Sequence, residues 1–206
     1  MIIDPQKIST KDRYKIMVGS IVPRPIAFVS TIATDGTRNL APFSYFMAIS
    51  ADPPTLCFAP GRRAGKPKDT LSNVEATGEF VVNVVTEEMG PGMNLTAGNY
   101  PAGTDEFEEA GFTPEPSRVV QPPRVKESPI SMECKLHQVV PIGGPTSGAS
   151  LVIGEIVMFH VADELYNDGR IDIRTLKPLG RLAGTEYTTL GKIVSLEKEP
   201  HQPKGS

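Results

Sequence analysis

Apolar positions in this chain come in short runs and in alternation with polar ones, a pattern that predicts strands rather than long helices. Residues 25–32, Pro-Ile-Ala-Phe-Val-Ser-Thr-Ile, are rich in β-branched and aromatic side chains. Thr34-Asp35-Gly36-Thr37 then supplies an Asp-Gly turn into Arg38-Asn39-Leu40-Ala41, the clearest hairpin signal in the sequence. Residues 43–49 predict a further strand, Asp52-Pro53-Pro54 ends it, residues 55–59 predict the next, and residues 61–68 read as a polar loop. Asp69 or Thr70 can cap a short helix running to Ala76, with Gly78 as its stop, and residues 80–85 form a strand apolar enough to be buried on both faces.

Residues 86–128 carry Pro91, Pro101, Pro114, Pro116, Pro122 and Pro123, which leave room only for brief helices near Glu87 and Asp105. An excursion of that length usually covers something. Met132, Cys134, Leu136 and Val140 then alternate with Glu133, Lys135 and His137, predicting a strand with one wet face that pairs with residues 150–161 across a Gly-rich tip at 143–148. Residues 192–196 offer a last strand. Six or seven mostly antiparallel strands, one early helix and no βαβ alternation predict a mainly β protein, a barrel with a few peripheral short helices. It reads as a single domain over residues 1–206, with its core at about 14–196 and a loose polar tail at 197–206.

Composition narrows this further. At 206 residues the chain can bury one core of ordinary size, and 20 prolines with 19 glycines argue against a helical bundle. Lys and Arg number 21 against 24 Asp and Glu, so a net charge of -3 gives no general attraction to nucleic acid or to an anionic membrane. Charged residues from Asp4 to Arg13 stand where a signal peptide would be apolar, and no apolar run is long enough to span a bilayer, so a soluble cytoplasmic protein is expected. Cys57 and Cys134 lie in apolar segments without a partner at zinc spacing, which predicts two reduced core thiols and no metal site.

Two stretches carry candidate chemistry. Arg62, Arg63, Lys66 and Lys68 crowd the loop just before the predicted helix, so local charge opposes the global average. Fork-shaped Arg donors, Lys point charges and free amides at a helix start suit a phosphate, although a solvated basic loop is an equal reading. A nucleotide-hydrolysing P-loop is excluded, because the Gly61 to Gly65 spacing is one residue short and Pro67 stands where a Ser or Thr must hold Mg²⁺. The second stretch, Asn39-Leu40-Ala41-Pro42-Phe43-Ser44-Tyr45-Phe46, interleaves small, hydroxylated and aromatic side chains. Ser44 and the backbone could bond the edge of a flat heterocycle that Tyr45 or Phe46 borders; aromatic core packing explains the pattern as well.

Taken in order, residues 21–31 (Ile-Val-Pro-Arg-Pro-Ile-Ala-Phe-Val-Ser-Thr), the stretch from Asn39 to Phe46, Asp52-Pro53-Pro54, Lys68-Asp69-Thr70-Leu71-Ser72-Asn73 and Phe80-Val81-Val82-Asn83 resemble the flavin reductase-like proteins of the FMN-binding split-barrel fold. Ile153-Gly154-Glu155-Ile156 with His160, Pro178-Leu179-Gly180-Arg181-Leu182 and Tyr187 extend the resemblance, which spans about residues 14–193. It implies a homodimeric antiparallel split barrel, Greek-key-like, that holds FMN, or less often FAD, near the subunit interface and reduces it with NADH or NADPH. Carried over by position, Ser30, Thr31, Asn39, Ser44 and Tyr45 line the ring and ribityl chain, while Arg62, Lys66, Lys68 and Thr70 hold the phosphate.

By the same resemblance His160 borders the nicotinamide or flavin and Tyr187 caps the flavin edge. Read from the residues alone, His160 is equally a half-buried, hydrogen-bonded histidine and Tyr187 an interface tyrosine. His137 and the tail's His201 read as solvated. The acidic run from Asp105 to Glu109 is a solvated helix face or a cap over the pocket. Three functions stay open: an NAD(P)H-dependent flavin reductase that serves a partner oxygenase or another electron acceptor, an FMN-holding electron carrier with no nicotinamide site, and a barrel for another phosphate-bearing ring such as pyridoxal phosphate.

Overall fold

The computed structural model describes residues 1–62, 65–101, 103–144 and 148–197. A first helix, α1 (Thr10–Ser20), precedes a hairpin of β1 (Ala27–Ile32) and β2 (Arg38–Phe43). Gly36 makes that hairpin possible: its φ of 92° is strained for any residue with a Cβ, and it lets Ala33 N–H donate to the Thr37 carbonyl at 2.8 Å. The chain continues through β3 (Phe46–Ala51), β4 (Pro54–Phe58), α2 (Asp69–Thr77) and β5 (Glu79–Val84). The excursion carries α3 (Gly90–Thr96), α4 (Glu106–Ala110) and a ribbon of β6 (Pro114–Glu115) and β7 (Arg124–Val125). A long hairpin follows, β8 (Ile130–Ile142) and β9 (Ala149–Val161). The chain then passes through β10 (Tyr166–Asn167), β11 (Arg170–Ile171), α5 (Ile173–Leu176), β12 (Gly180–Arg181) and β13 (Tyr187–Thr188).

Seven strands make one antiparallel sheet in the order β2-β1-β5-β8-β9-β4-β3. Its two edges, β2 and β3, are consecutive in the chain and are joined through Ser44 and Tyr45, which gives the barrel its split. The expected strand over 43–49 is therefore two strands meeting at that corner. Inside the barrel, Val29, Phe43, Leu56, Phe58, Phe80, Val82 and Val152 pack with Leu71 and Val74 of α2. Gly154 is required here, because a Cβ in its place would come within 2.3 Å of the Phe80 ring. Cys57 and Cys134 are buried and unbridged, and burial raises the pKa of both thiols.

The excursion has a core of its own against the outer side of the sheet. Met89, Met93, Phe107, Phe112 and Val125 pack on Ile26, Phe28, Leu40 and Val85, so β1 is buried on both faces. Two sequence expectations fail. Residues 192–196 form no strand, because nothing pairs with them: Val194 and Leu196 are exposed. Helix α1 went unpredicted because only Val18 on it is buried, which leaves no apolar stripe to read. Arg63, residues 145–147 of the expected tip and most of the expected tail, with His201, lie outside the described residues.

Candidate functional site

Thr31 and Asn39 face each other across the β1-β2 pair, and both are buried beneath the start of α2. The Asn39 Oδ1 accepts the Thr31 hydroxyl at 3.3 Å and the Thr70 hydroxyl at 2.7 Å. Asn73, one turn further along α2, donates its Nδ2 to the Thr31 hydroxyl at 3.0 Å. The Asn39 Nδ2 in turn donates to both carboxylate oxygens of Glu106, at 3.0 and 2.9 Å, and the Leu40 amide donates to Glu106 as well. Burial raises the Glu106 pKa, and the amides and Asn39 only partly offset it. Five side chains from β1, β2, α2 and α4 thus form one buried network in which each polar group has a partner.

Beside that network opens a cavity of about 400 Å³ whose floor is Asn39, Ala41, Pro42 and Thr70 and whose rim carries Lys66, Lys68 and Asp69. On the opposite side stand Thr96 to Tyr100 at the end of α3, and Glu106. Lys68 is the N-cap residue of α2, with its ammonium 5.2 Å from the Phe43 ring centroid. The first donor bonded within α2 is Leu71, to the Lys68 carbonyl at 2.9 Å, so the Asp69 and Thr70 amides precede the intrahelical ladder. Two ammonium groups and a helix start around one opening favour an anion, against one exposed carboxylate from Asp69.

Of the residues predicted to touch ligand, the structure brings Asn39, Lys66, Lys68 and Thr70 to this cavity, with Thr31 one hydrogen bond behind it. Ser30 points the other way, its hydroxyl donating to the Pro123 carbonyl at 2.5 Å under the excursion. Ser44 accepts from Arg24 Nε at 3.3 Å, and Tyr45 sits half-open at the split, its pKa raised by burial and by Tyr14 against the opposing pull of Arg24. Arg62 braces the loop rather than the cavity, its amide donating to the Gly148 carbonyl at 3.2 Å. Tyr187 lies apart: its hydroxyl donates to Asn94 at 3.1 Å and the Arg181 guanidinium stacks 4.4 Å over its ring.

His160 is also placed elsewhere. Its Nε2 lies 2.6 Å from Oε1 of Glu133, whose carboxylate is fully buried and also accepts the amides of Arg118, Val119 and Val120. Burial opposes ionisation of Glu133, yet those amides and His160 outweigh it and hold the pKa below the usual value. The expected wet position of Glu133 is thus wrong, because the excursion lies over that face of β8 and turns three amides onto the carboxylate. His160 is thus held by a buried carboxylate and lies outside the lining of the α2 cavity.

Arg24 was quoted only for its place in a motif, yet it is a buried hub. Its guanidinium donates to the Val18 and Ile21 carbonyls at 2.6 Å and to Leu182 at 2.8 Å, joining α1 to β12. Glu106 was legible as part of a capping acidic run; its aim at Asn39 was not.

A model of the flavin reductase-like domain matches residues 18–177. The solved component B of nitrilotriacetate monooxygenase from Bacillus cereus is 43% identical, with a TM-score of 0.93 over 95% of this chain and 98% of that one. A 2-nitrobenzoate 2-nitroreductase from Pseudomonas fluorescens is 31% identical over the whole of both chains, with a TM-score of 0.89. A split-barrel-domain protein from Shewanella frigidimarina, 26% identical, reaches 0.84 over 97% of this chain and all of that one. With this sheet, this split and this match over most of its length, the chain belongs to the flavin reductase-like family.

Proposed function

We propose that this chain binds FMN in the cavity beside α2 and reduces it with NADH or NADPH, as a cytoplasmic homodimer that hands reduced flavin to a partner oxygenase. The observation that carries this is the convergence of Lys66, Lys68 and the opening amides of α2 on a cavity about 400 Å³ in volume, within a flavin reductase-like chain. The donor set fits a phosphate monoester: two ammonium groups supply charge and two amides supply direction. The Thr70 hydroxyl is committed to Asn39, so Thr70 would contribute its main-chain N–H. A bound flavin would supply the redox chemistry, hydride transfer from nicotinamide C4 to flavin N5.

The chain's own work is to bind and orient. Lys66 and Lys68 would hold the phosphate, and Ala41 and Pro42 would border the ribityl chain. The network of Thr31, Asn39, Thr70, Asn73 and Glu106 keeps these elements in register. Similarity to a monooxygenase component B supports the partner oxygenase. The homodimer is supported by β3, an edge strand on which every residue after Phe46 is exposed, including Met47 at 61% and Ile49 at 49%.

The test is a cuvette measurement on the purified protein with FMN added. Oxidation of NADH or NADPH that rises with FMN supports the reductase. Flavin that binds but takes electrons only from dithionite replaces it with an electron carrier, and a protein that binds no flavin ends both readings.

A further inference from the structure

A second cavity, of about 590 Å³, lies far along the sheet from the first, between the excursion and the end of β9. It is not lined by any residue of the α2 cavity. One wall is cationic, with Arg118, Arg124 and Lys126; the other is apolar, with Met158, Phe159 and Pro129. The volume falls in the range of small-molecule sites.

Three cations and two carboxylates line this cavity, and two of the cations stand without an ion pair among the described residues. Arg124 is matched by Glu115 at 2.9 Å and also donates to the Pro116 carbonyl. Glu127 accepts the Thr113 amide at 3.0 and 3.1 Å and keeps its charge, and the buried Glu133 accepts three amides and bonds His160. Arg118 and Lys126 have no ion pair among the described residues, and the acids on the lining, Glu127 and Glu164, bridge to neither. Arg118 is not merely a loose surface cation, because Glu133 accepts its amide at 2.7 Å and so fixes the point from which the guanidinium extends. Phe159, on the same lining, is 54% exposed, a large apolar ring left open.

We propose that this cavity is a binding site for a small organic carboxylate with a flat apolar body, its carboxylate on Arg118 and Lys126 and its ring against Phe159. A guanidinium takes a carboxylate through paired donors, and an aromatic face contributes apolar contact that a bare inorganic anion could not use. The site is independent of flavin binding, and His160 on its lining provides the reporter.

Benzoate is the probe, added to protein saturated with FMN so that the α2 cavity is filled. The readout is the ring resonance of His160 in histidine-labelled protein, assigned with His137→Gln and His201→Gln. The site predicts a saturable His160 shift with benzoate and none with benzyl alcohol or inorganic phosphate at equal concentration. Arg118→Ala with Lys126→Ala should weaken benzoate at least about tenfold while the melting temperature and FMN affinity stay unchanged, since both side chains are exposed. The proposal is overturned by the absence of a saturable shift, by an equal shift from phosphate or benzyl alcohol, or by full retention of binding in the double variant. Protein that binds no flavin but gives the benzoate shift would end the reading above and leave this one standing.

Discussion

The Thr70 hydroxyl donates to Asn39 Oδ1 at 2.7 Å, so the first turn of α2 is fastened to β2 by a buried bond 31 residues apart in sequence. That single contact aligns the helix start with the cavity floor. It also consumes the Thr70 hydroxyl and leaves charge recognition to the two lysines.

Replacing Lys66 and Lys68 together by Ala should therefore weaken FMN at least about tenfold and leave riboflavin nearly unchanged, since each charge-assisted bond contributes about 1.5–3 kcal/mol. Equilibrium dialysis of both flavins checks it. Equal losses would show that the loop does not read the phosphate. The same pair of measurements on Arg62→Ala should show little change, because Arg62 holds the loop through its amide and does not line the cavity.

Glu133 should make the excursion acid-sensitive. Its pKa is lowered on folding, so the unfolded carboxyl takes up a proton first, and the stability it contributes is present above about pH 4.5 and lost as pH falls through the lower folded value. Amides 118–120 should lose exchange protection in that acid range before the sheet does. In Glu133→Gln, which weakens three amide contacts and costs about 1–3 kcal/mol, that acid step should vanish. An unchanged step would place its origin in another carboxylate.

Gly154→Ala should destabilise the barrel by about 1–3 kcal/mol, because the new methyl must displace the Phe80 ring in a fully packed core. A thermal melt measures it, and a melting temperature equal to that of the parent would mean that Phe80 moves at no cost.

Met47→Asp with Ile49→Asp should produce monomers if a second copy covers β3, with the monomer keeping its secondary structure, as both side chains are exposed. Sedimentation velocity reads the outcome, and a dimer that persists would move the interface off this edge.

Much of the architecture was legible because local chemistry and tertiary structure agree. Asp35-Gly36 closes the first hairpin, Gly78 at φ 73° stops α2, and the valines around Val82 fill a strand buried on both faces. What was not legible depends on partners distant in sequence. Ile193, Val194 and Leu196 are apolar enough for a strand, but a strand needs a neighbour and no strand of the sheet pairs with them. Glu133 reads as solvated until the excursion covers it and its amides reach the carboxylate. For the candidate site, motif positions named Asn39, Lys66, Lys68 and Thr70, which the fold brings to one cavity. Asn73 and Glu106 were missed as contacts because nothing local says which residue they bond. His160 reads as well for a site as for structure, and its bond to Glu133, 27 residues away, has no local signature.

The order of strands also has a kinetic side. β2 and β3 are neighbours in the chain but the two outermost strands of the sheet, so their short connection gives no pairing between them. Closing the sheet relies instead on β1 meeting β5 and β4 meeting β9, contacts that span long stretches of chain and bear the entropy of closing large loops before any pairing returns it. Refolding from denaturant should accordingly fall among slow, high-contact-order proteins, on a scale of about milliseconds to seconds. The local β8-β9 hairpin is the natural first piece to form, and a later step that joins β4 to it should set the rate.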